Sequence, residues 1–398
     1  MQGQKEGYMS MQLVIKNALI LQSNGTFVKG HVGIDQGHIA ALWYGEFPGA
    51  YAQVPCIDAD GLLACPGLID THIHGGEGFG FIIEGTDWGK LEERLASNGV
   101  TSVLATGESL PPEGLLAFID RAVDLAKNNG TNRVEILGIH MEGPYLNKNK
   151  KGCHAEEYIR SADKKEIARI LERAGGMIKV WTLAPEFAEN MAAIETLTAA
   201  GISVSIAHTE ADYKTALAAF EAGANRVTHT FNTMPAISHR YEGIITAAWQ
   251  YGAFMELIAD GLHISPTIIK MFVSATDPGK IVLVSDNNDL SGMPDGNYFQ
   301  NNQAITVVNG QLKTGSGNLA GSYSTLNRYA FNLTRWGFSP GAALKMVTEN
   351  PARSIGVFDR KGSITVGKDA DIAILNDQFE AMVTIKGGQV VWMNDTKK

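Results

Sequence analysis

The sequence predicts an α/β fold: a (β/α)8 barrel of the TIM type, with a small β-sandwich domain formed by both chain ends. Eight short apolar runs, each ending in polar residues, recur between residues 62 and 288. Segments rich in Ala, Leu, Glu and Lys separate them, and several stop at the glycine expected after a helix. Eight strand-helix units in this span are typical of a barrel of about 250 residues.

The predicted barrel elements follow one another through the middle of the chain. The strands cover residues 62–75, 101–108, 134–144, 178–186, 202–210, 226–232, 255–261 and 280–288. Helical composition predicts helices over residues 87–99, 112–130, 163–176, 189–201, 212–224 and 265–275. In such a barrel, the carboxyl ends of all strands meet at one rim, where active sites are built.

The two ends of the chain show a different pattern. Residues 12–61 and 361–395 alternate short β-rich runs with turns, which is typical of antiparallel strands. Because chain termini often lie close together, we predict one β-sandwich, from residues 1–62 and 349–398, with the barrel at residues 63–348 inserted between them. Two separate β appendages are the alternative, although neither end alone has much core to bury.

Composition narrows the classes of partner and location. The 398 residues carry a net charge of -9, which argues against a nucleic-acid or anionic membrane surface, so an anionic substrate must meet a few local cations. No segment approaches the ~18 apolar residues of a membrane span. Three widely spaced cysteines suit a reducing compartment better than a disulfide framework, and we expect a cytoplasmic protein.

The stretch DTHIHGG, residues 70–76, places two histidines at the end of the first barrel strand. Side chains i and i+2 share a strand face, so His72 and His74 both point into the barrel. A lone core histidine is usually satisfied by a backbone hydrogen bond, whereas this pair favours a metal ligand role. Five more chemistry-bearing residues end other predicted strands: His140, Glu142, His208, His229 and Asp286.

Imidazoles with one or two carboxylates suit a divalent transition metal such as Zn, Fe or Mn rather than Ca or Mg. A metal with an open position lowers the pKa of bound water from ~15.7 toward ~7 and polarises a carbonyl. A carboxylate beside that water can take its proton and return it to a leaving amine. We assign this acid/base role to Asp286, and a ligand role to Glu142, which Gly143 and Pro144 follow directly.

Several longer motifs carry a family resemblance: PGLIDTHIHGG at 66–76, HMEGPYLN at 140–147, TLAPE at 182–186, THTFNTMP at 228–235 and IADGLHI at 258–264. With them the chain resembles the amidohydrolase superfamily and, within it, the N-acetylglucosamine-6-phosphate deacetylase family. The resemblance implies a metal-dependent hydrolysis that yields glucosamine 6-phosphate and acetate. N-acetylgalactosamine 6-phosphate, or another N-acyl amine, is the alternative substrate.

The resemblance also implies a role for individual positions. Asp286 matches the acid/base, and His154 matches the residue that polarises the acetyl carbonyl. Arg240 matches an arginine that reaches the substrate phosphate bound in a neighbouring subunit, which implies a homodimer. The resemblance also implies one or two ions, Zn or Fe, per subunit. The positions that match the family's metal ligands are Glu142, His208, His229, His72 and His74. Those that match the remaining substrate contacts are Asn232, Thr233 and His263.

Other functions stay open at this point. The polar run Asn287, Asn288 and Asp289 stands where the family usually carries small or apolar residues, so the sugar epimer or acyl group is undetermined. Cyclic-amide amidohydrolases with a carboxylated lysine are disfavoured, because predicted strand four ends in Pro185-Glu186. A non-catalytic barrel scaffold would be expected to lack ligands that are present here.

Overall fold

The structure is a computed structural model that describes residues 11–128, 134–300, 303–315 and 317–395. The first strands belong to the N-terminal flank. They are β1 (Leu13–Leu21), β2 (Phe27–Asp35), β3 (His38–Tyr44), β4 (Cys56–Asp58) and β5 (Leu63–Pro66).

The eight predicted barrel strands are present, and seven of them come after a short two-stranded ribbon. The first is β6 (Leu68–Ile73), and the ribbon is β7 (Gly75–Gly76) with β8 (Phe79–Gly80). The other barrel strands are β9 (Val100–Gly107), β10 (Glu135–Glu142), β11 (Ile178–Leu183), β12 (Ser203–Ile206), β13 (Arg226–Val227), β14 (Phe254–Leu257) and β15 (Ile281–Leu283). They pair in parallel in this order, with β6 and β15 at the two ends of the sheet.

Backbone hydrogen bonds at the carboxyl ends of β6 and β15 close the barrel. The amide of Asp286 donates to the carbonyl of His72 at 2.9 Å, and the amide of His74 donates to the carbonyl of Asn287 at 2.7 Å. The predicted (β/α)8 barrel is therefore confirmed. Its closure brings the last strand end directly beside the first, so that Asp286 and the two histidines of the DTHIHGG stretch become neighbours.

Helices surround the barrel. They are α1 (Trp88–Ala96), α2 (Pro112–Asn128), α3 (Lys164–Ala174), α4 (Ala188–Ala199), α5 (Tyr213–Glu221), α6 (Ile244–Tyr251), α7 (Pro266–Ala275), α8 (Leu326–Arg335), α9 (Pro340–Lys345) and α10 (Glu349–Ser354). Helix α3 shows the expected signals, because Asp163 caps the amides of Lys165 and Glu166 and Gly175 ends it in the left-handed conformation. The six predicted helices all form, although residues 129–130 of the second lie outside the described residues.

Between β15 and α8 the chain forms a three-stranded antiparallel sheet that the sequence did not predict. Its strands are β16 (Gly296–Gln300), β17 (Gln303–Val308) and β18 (Gln311–Thr314). A small apolar cluster holds this sheet, with Leu290, Ile305 and Leu312 buried in it. Helices α6, α8, α9 and α10 were not predicted either.

The last strands are β19 (Ile372–Leu375), β20 (Ala381–Lys386) and β21 (Gln389–Met393). They join the N-terminal strands in one eight-stranded sheet, because β19 pairs antiparallel with β5. Buried side chains from both chain ends share one apolar cluster, which includes Ile20, Ile34 and Ile385. A single flanking β domain from both ends is therefore confirmed, and two separate appendages are excluded.

The strand pairing refines the predicted domain boundaries. Strand β5 lies in the flanking sheet, although it follows the predicted boundary at residue 62. Helix α10 follows the predicted boundary at residue 348, yet it packs against β6 and β15 of the barrel. We therefore propose that the barrel domain begins after Pro66 and includes α10. In the described part of the chain, no helix is both long and apolar enough to cross a membrane.

Candidate active site

A cavity of about 310 Å³ opens at the carboxyl ends of the barrel strands. Two of the predicted site residues, His72 and Arg240, do not line it. His72 lies fully buried behind the wall, and Arg240 lies on an exposed loop. The predicted residues that do line it are His74, Glu142, His154, His208, His229, Asn232, Thr233, His263 and Asp286.

Three of these residues converge on one point, and we call them the Glu142 set: Glu142 Oε1, His208 Nε2 and His229 Nε2. The carboxylate oxygen lies 3.2 Å from the His208 nitrogen and 2.9 Å from the His229 nitrogen. The two imidazole nitrogens are 3.0 Å apart. Ligand atoms bound at about 2.0–2.2 Å from one ion lie roughly this far apart, so the spacing fits a divalent cation.

A second group of donors, the His72 set, lies beside the first: His72 Nε2, His74 Nε2, Glu142 Oε2 and Asp286 Oδ1. The two imidazole nitrogens are 3.2 Å apart, and His74 Nε2 lies 3.2 Å from Glu142 Oε2. Asp286 Oδ1 lies 3.3 Å from His72 Nε2 and 3.5 Å from His74 Nε2. The two oxygens of Glu142 thus face different sets, an arrangement that suits two neighbouring ions.

Local backbone geometry places three of these side chains. His208, His229 and Asp286 each adopt a positive φ, at 46°, 30° and 52°. An extended strand cannot continue through such a residue, which is why these strands end earlier than the sequence predicts. Strained backbone of this kind concentrates at functional sites, where the surrounding structure holds it in place.

Further contacts orient the ligand atoms. His208 Nδ1 lies 2.8 Å from the carbonyl of Lys150, which accepts its proton and leaves Nε2 free to bind a cation. Glu256, which the sequence analysis did not single out, accepts from His72 Nδ1 at 2.9 Å. The acidic residue in the apolar run MELIADG was the available signal for Glu256.

The pKa values of the site show two carboxylates that neighbouring imidazoles keep ionised. Burial raises the pKa of Glu142, but His72 and the imidazoles that contact the Glu142 carboxylate hold that pKa well below the usual value. Burial also opposes ionisation of Asp286, yet His72 and His74 lower its pKa. Burial lowers the pKa of His74, whereas its contacts with Asp286 and Glu142 raise it to about 10. Both carboxylates are therefore ionised and suited to cations, with Glu142 buried and Asp286 partly exposed to the cavity.

The ligand atoms of the Glu142 set also fit a divalent metal. Two imidazole nitrogens 3.0 Å apart, both facing one carboxylate oxygen, cannot both present lone pairs without a cation or proton between them. Nitrogen and oxygen donors of this kind bind Zn or Fe rather than Ca or Mg. The residues present therefore fit a divalent metal, with one position in each set.

His154 presents a donor to the same space. Its Nδ1 accepts the amide proton of Ser109 at 3.0 Å, so the neutral ring carries its own proton on Nε2. That nitrogen lies 3.4 Å from Glu142 Oε2, at the edge of the ligand sets. The His140 ring packs against the His72 ring, with 4.6 Å between the ring centroids, but its own nitrogens contact the Thr71 carbonyl and the Thr182 hydroxyl.

Three further polar residues line the same cavity. His263 contacts Asp260 Oδ2 through Nδ1 at 2.7 Å, and this contact fixes its ring. Asn232 donates its amide to the carbonyl of His229, and Thr233 adopts a positive φ of 55°. Arg240 contacts only its neighbours Ser238 and His239 among the described hydrogen bonds. The structure therefore does not bring Arg240 into the cavity of its own chain.

The wall of the cavity also contains polar residues that sequence reasoning left without a role. Glu108 follows the end of β9, and Gln300 ends β16 in the unpredicted three-stranded sheet. Asn288 donates to Gln300 Oε1 at 3.3 Å and to the Ala320 carbonyl at 2.9 Å. The polar run after Asp286 thus anchors the three-stranded sheet at the cavity.

A parallel eight-stranded barrel with histidines and carboxylates gathered at its carboxyl rim defines a class of barrel hydrolases, and the chain belongs to the amidohydrolase family, whose model matches residues 63–391. Over 393 residues the chain is 34% identical to the N-acetylglucosamine-6-phosphate deacetylase of Bacillus subtilis (strain 168), covering 97% of this chain and 98% of the relative. It is 31% identical over 369 residues to the N-acetylgalactosamine-6-phosphate deacetylase of Escherichia coli O157:H7, covering 92% and 96%. The crystal structure of the N-acetylglucosamine-6-phosphate deacetylase from Pasteurella multocida superposes with a TM-score of 0.89 at 27% identity, covering 96% of this chain and 100% of that one.

Proposed function

We propose that the protein is a metal-dependent deacetylase that hydrolyses N-acetylglucosamine 6-phosphate to glucosamine 6-phosphate and acetate. The observation that carries the proposal is the convergence of the Glu142 set, His74, Asp286 and His154 on one cavity, with His72 in contact with Asp286 behind its wall. The similarity to N-acetylglucosamine-6-phosphate deacetylases along nearly the whole chain supports this substrate.

Each residue of the site has a distinct part in this reaction. A divalent metal, Zn or Fe, would be held by Glu142, His208 and His229, with His72 and His74 for a second ion, and would supply an activated water and a polarised amide carbonyl. The Asp286 carboxylate accepts the proton of the attacking water and returns it to the leaving amine. His154 donates a hydrogen bond from its Nε2–H to the carbonyl oxygen as negative charge develops there.

The same cavity would bind the sugar phosphate. Asn232, the backbone at Thr233, and His263 line it, and we propose them as donors to the phosphate. In an acidic chain these few groups need a further cation, and we propose that Arg240 of a second subunit provides it in a homodimer. The exposed position of Arg240, outside its own cavity, supports this part of the proposal. The three free cysteines are consistent with the cytoplasmic location we propose.

The decisive experiment measures acetate release from N-acetylglucosamine 6-phosphate and from its galactosamine epimer, each before and after treatment with a chelator. We expect faster release from the glucosamine substrate, loss after chelation and recovery when Zn or Fe is added back. Preference for the other epimer would correct the substrate. Unchanged activity in metal-free protein would contradict the mechanism. A protein that binds no metal and releases no acetate would instead be a non-catalytic barrel scaffold.

A further inference from the structure

A buried ion pair lies beside the His72 set. Arg226 in β13 and Glu256 in β14 are both inaccessible to solvent, and the guanidinium Nε donates to Glu256 Oε1 at 2.8 Å. The other two guanidinium nitrogens donate to the hydroxyls of Ser354 and Thr71. Each of the three guanidinium nitrogens of Arg226 therefore has a partner, and Arg226 fixes one oxygen of the Glu256 carboxylate.

The second oxygen of Glu256 faces the metal ligands. It accepts from His72 Nδ1 at 2.9 Å and from the backbone amide of His229 at 3.1 Å. In the neutral ring, donation from Nδ1 leaves the lone pair of Nε2 directed at the other donors of its set, as binding of a cation requires. One carboxylate thus contacts a member of the His72 set and a member of the Glu142 set.

Fold stability alone does not explain why the barrel interior contains this pair. Desolvation of two buried charges often offsets their attraction, so an apolar pair of similar volume stabilises a protein as well or better. An imidazole that binds a metal, however, gains orientation and basicity from a carboxylate on its other nitrogen. Glu256 supplies such a carboxylate, and Arg226 balances its charge.

We propose that Glu256 is a positioning residue that holds His72 ready for a second divalent cation, and that Arg226 holds Glu256 in turn. The proposal rests on the metal dependence of the proposed function and is independent of which sugar epimer is hydrolysed. Loss of Glu256 should affect the His72 set most, because the side chain of His72 contacts this carboxylate directly, whereas His229 contacts it through the backbone only.

The test counts metal ions in the full-length protein. Wild type and Glu256→Gln are loaded with Zn²⁺, dialysed against chelators of graded strength and measured by plasma mass spectrometry. Wild type should hold two ions per chain. Glu256→Gln should bind one of these two ions about 10- to 100-fold more weakly than wild type does, and should lose it during dialysis. Co²⁺ substitution should show one altered site in the absorption spectrum, matching the spectrum of His74→Asn.

Glu135→Gln provides a matched control. Glu135 begins β10, the strand that ends at Glu142, and it pairs with Lys361 and Lys386 at 2.9 and 3.0 Å. This variant also loses a carboxylate that is bonded to cations, but far from the ligand sets, so it should keep both ions. Loss of an ion in Glu135→Gln would overturn the specific role of Glu256.

Glu256→Gln leaves Arg226 buried without its counter-charge, and the variant can fail to fold for that reason alone. The double variant Glu256→Gln with Arg226→Gln removes both charges and should also hold one ion. The proposal would be overturned if a folded variant held two ions at wild-type affinity or lost both ions. It would also be overturned if the wild-type protein bound only one ion. Absence of acetate release by wild type would contradict the proposed function but would not alter this metal count.

Discussion

Replacing Asp286 by asparagine removes a negative charge from the site and changes little else in the structure. The side chains have nearly the same volume, and asparagine tolerates the φ of 52° found here. The backbone amide that donates to the His72 carbonyl at 2.9 Å, and so closes the barrel, is retained. The variant should therefore fold, and its defect should be chemical.

The expected size of that defect follows from the contacts of Asp286. Its Oδ1 contacts His72 and His74 at 3.3 and 3.5 Å, and no described hydrogen bond or ion pair joins it to His208 or His229. The Glu142 set should keep its ion, while proton transfer to the leaving amine is lost. Loss of a general acid-base group lowers kcat by about 10²- to 10⁴-fold, or about 3 to 5 kcal/mol of transition-state stabilisation.

The assay follows acetate release under substrate saturation, with metal content measured on the same sample. Asp289→Asn is the control, because Asp289 lies three residues further along and is bonded to Gln300 rather than to either ligand set. We expect this control to retain most of its turnover. Full activity in Asp286→Asn, or an equal loss in Asp289→Asn, would refute the assignment of the acid-base role.

Three further predictions address other parts of the molecule. His154→Phe removes the Nε2 donor and should lower kcat by about 10²- to 10³-fold while KM changes little; a change confined to KM would contradict its role. Arg240→Ala should raise KM for the sugar phosphate with kcat nearly unchanged, and sedimentation should still show a dimer; an unchanged KM would count against a phosphate site shared between subunits. Gly341→Ala places a methyl group 1.9 Å from the carbonyl oxygen of Gly25 and should destabilise the fold by about 1–3 kcal/mol, seen as a lower Tm with unaltered metal content. Wild-type Tm in that variant would show that α9 and the turn between β1 and β2 separate without cost.

The parts of the site that are local in sequence were predictable. The spacing of His72 and His74 places both rings on one face of a strand, and the structure puts their Nε2 atoms 3.2 Å apart. The strand ends that carry Glu142, His208 and Asp286 were predictable for a similar reason, because a parallel barrel gathers all carboxyl ends at one rim. Alternation and strand-end position contain enough information for these residues.

Other features depend on contacts that no local pattern encodes. Arg226 and Glu256 read as isolated charges in separate strands, and only the pairing of β13 with β14 makes them partners. The three-stranded sheet that brings Gln300 to the cavity is an insertion with no counterpart in the strand-helix repeat. The early end of the strand before His208 follows from its positive φ, which tertiary contacts impose.

The pairing of β5 with β19 also constrains how the chain folds. Pro66 lies opposite Ile372, so more than three hundred residues separate two strands that are hydrogen-bonded neighbours. During synthesis, the edge of β5 therefore stays unpaired until more than three hundred further residues have been made, and such nonlocal pairing is slow. A nascent chain halted before Ile372 would leave that edge unpaired and open to association with other chains. The barrel can gather its catalytic groups earlier, but the molecule becomes protected against aggregation only with its last strands.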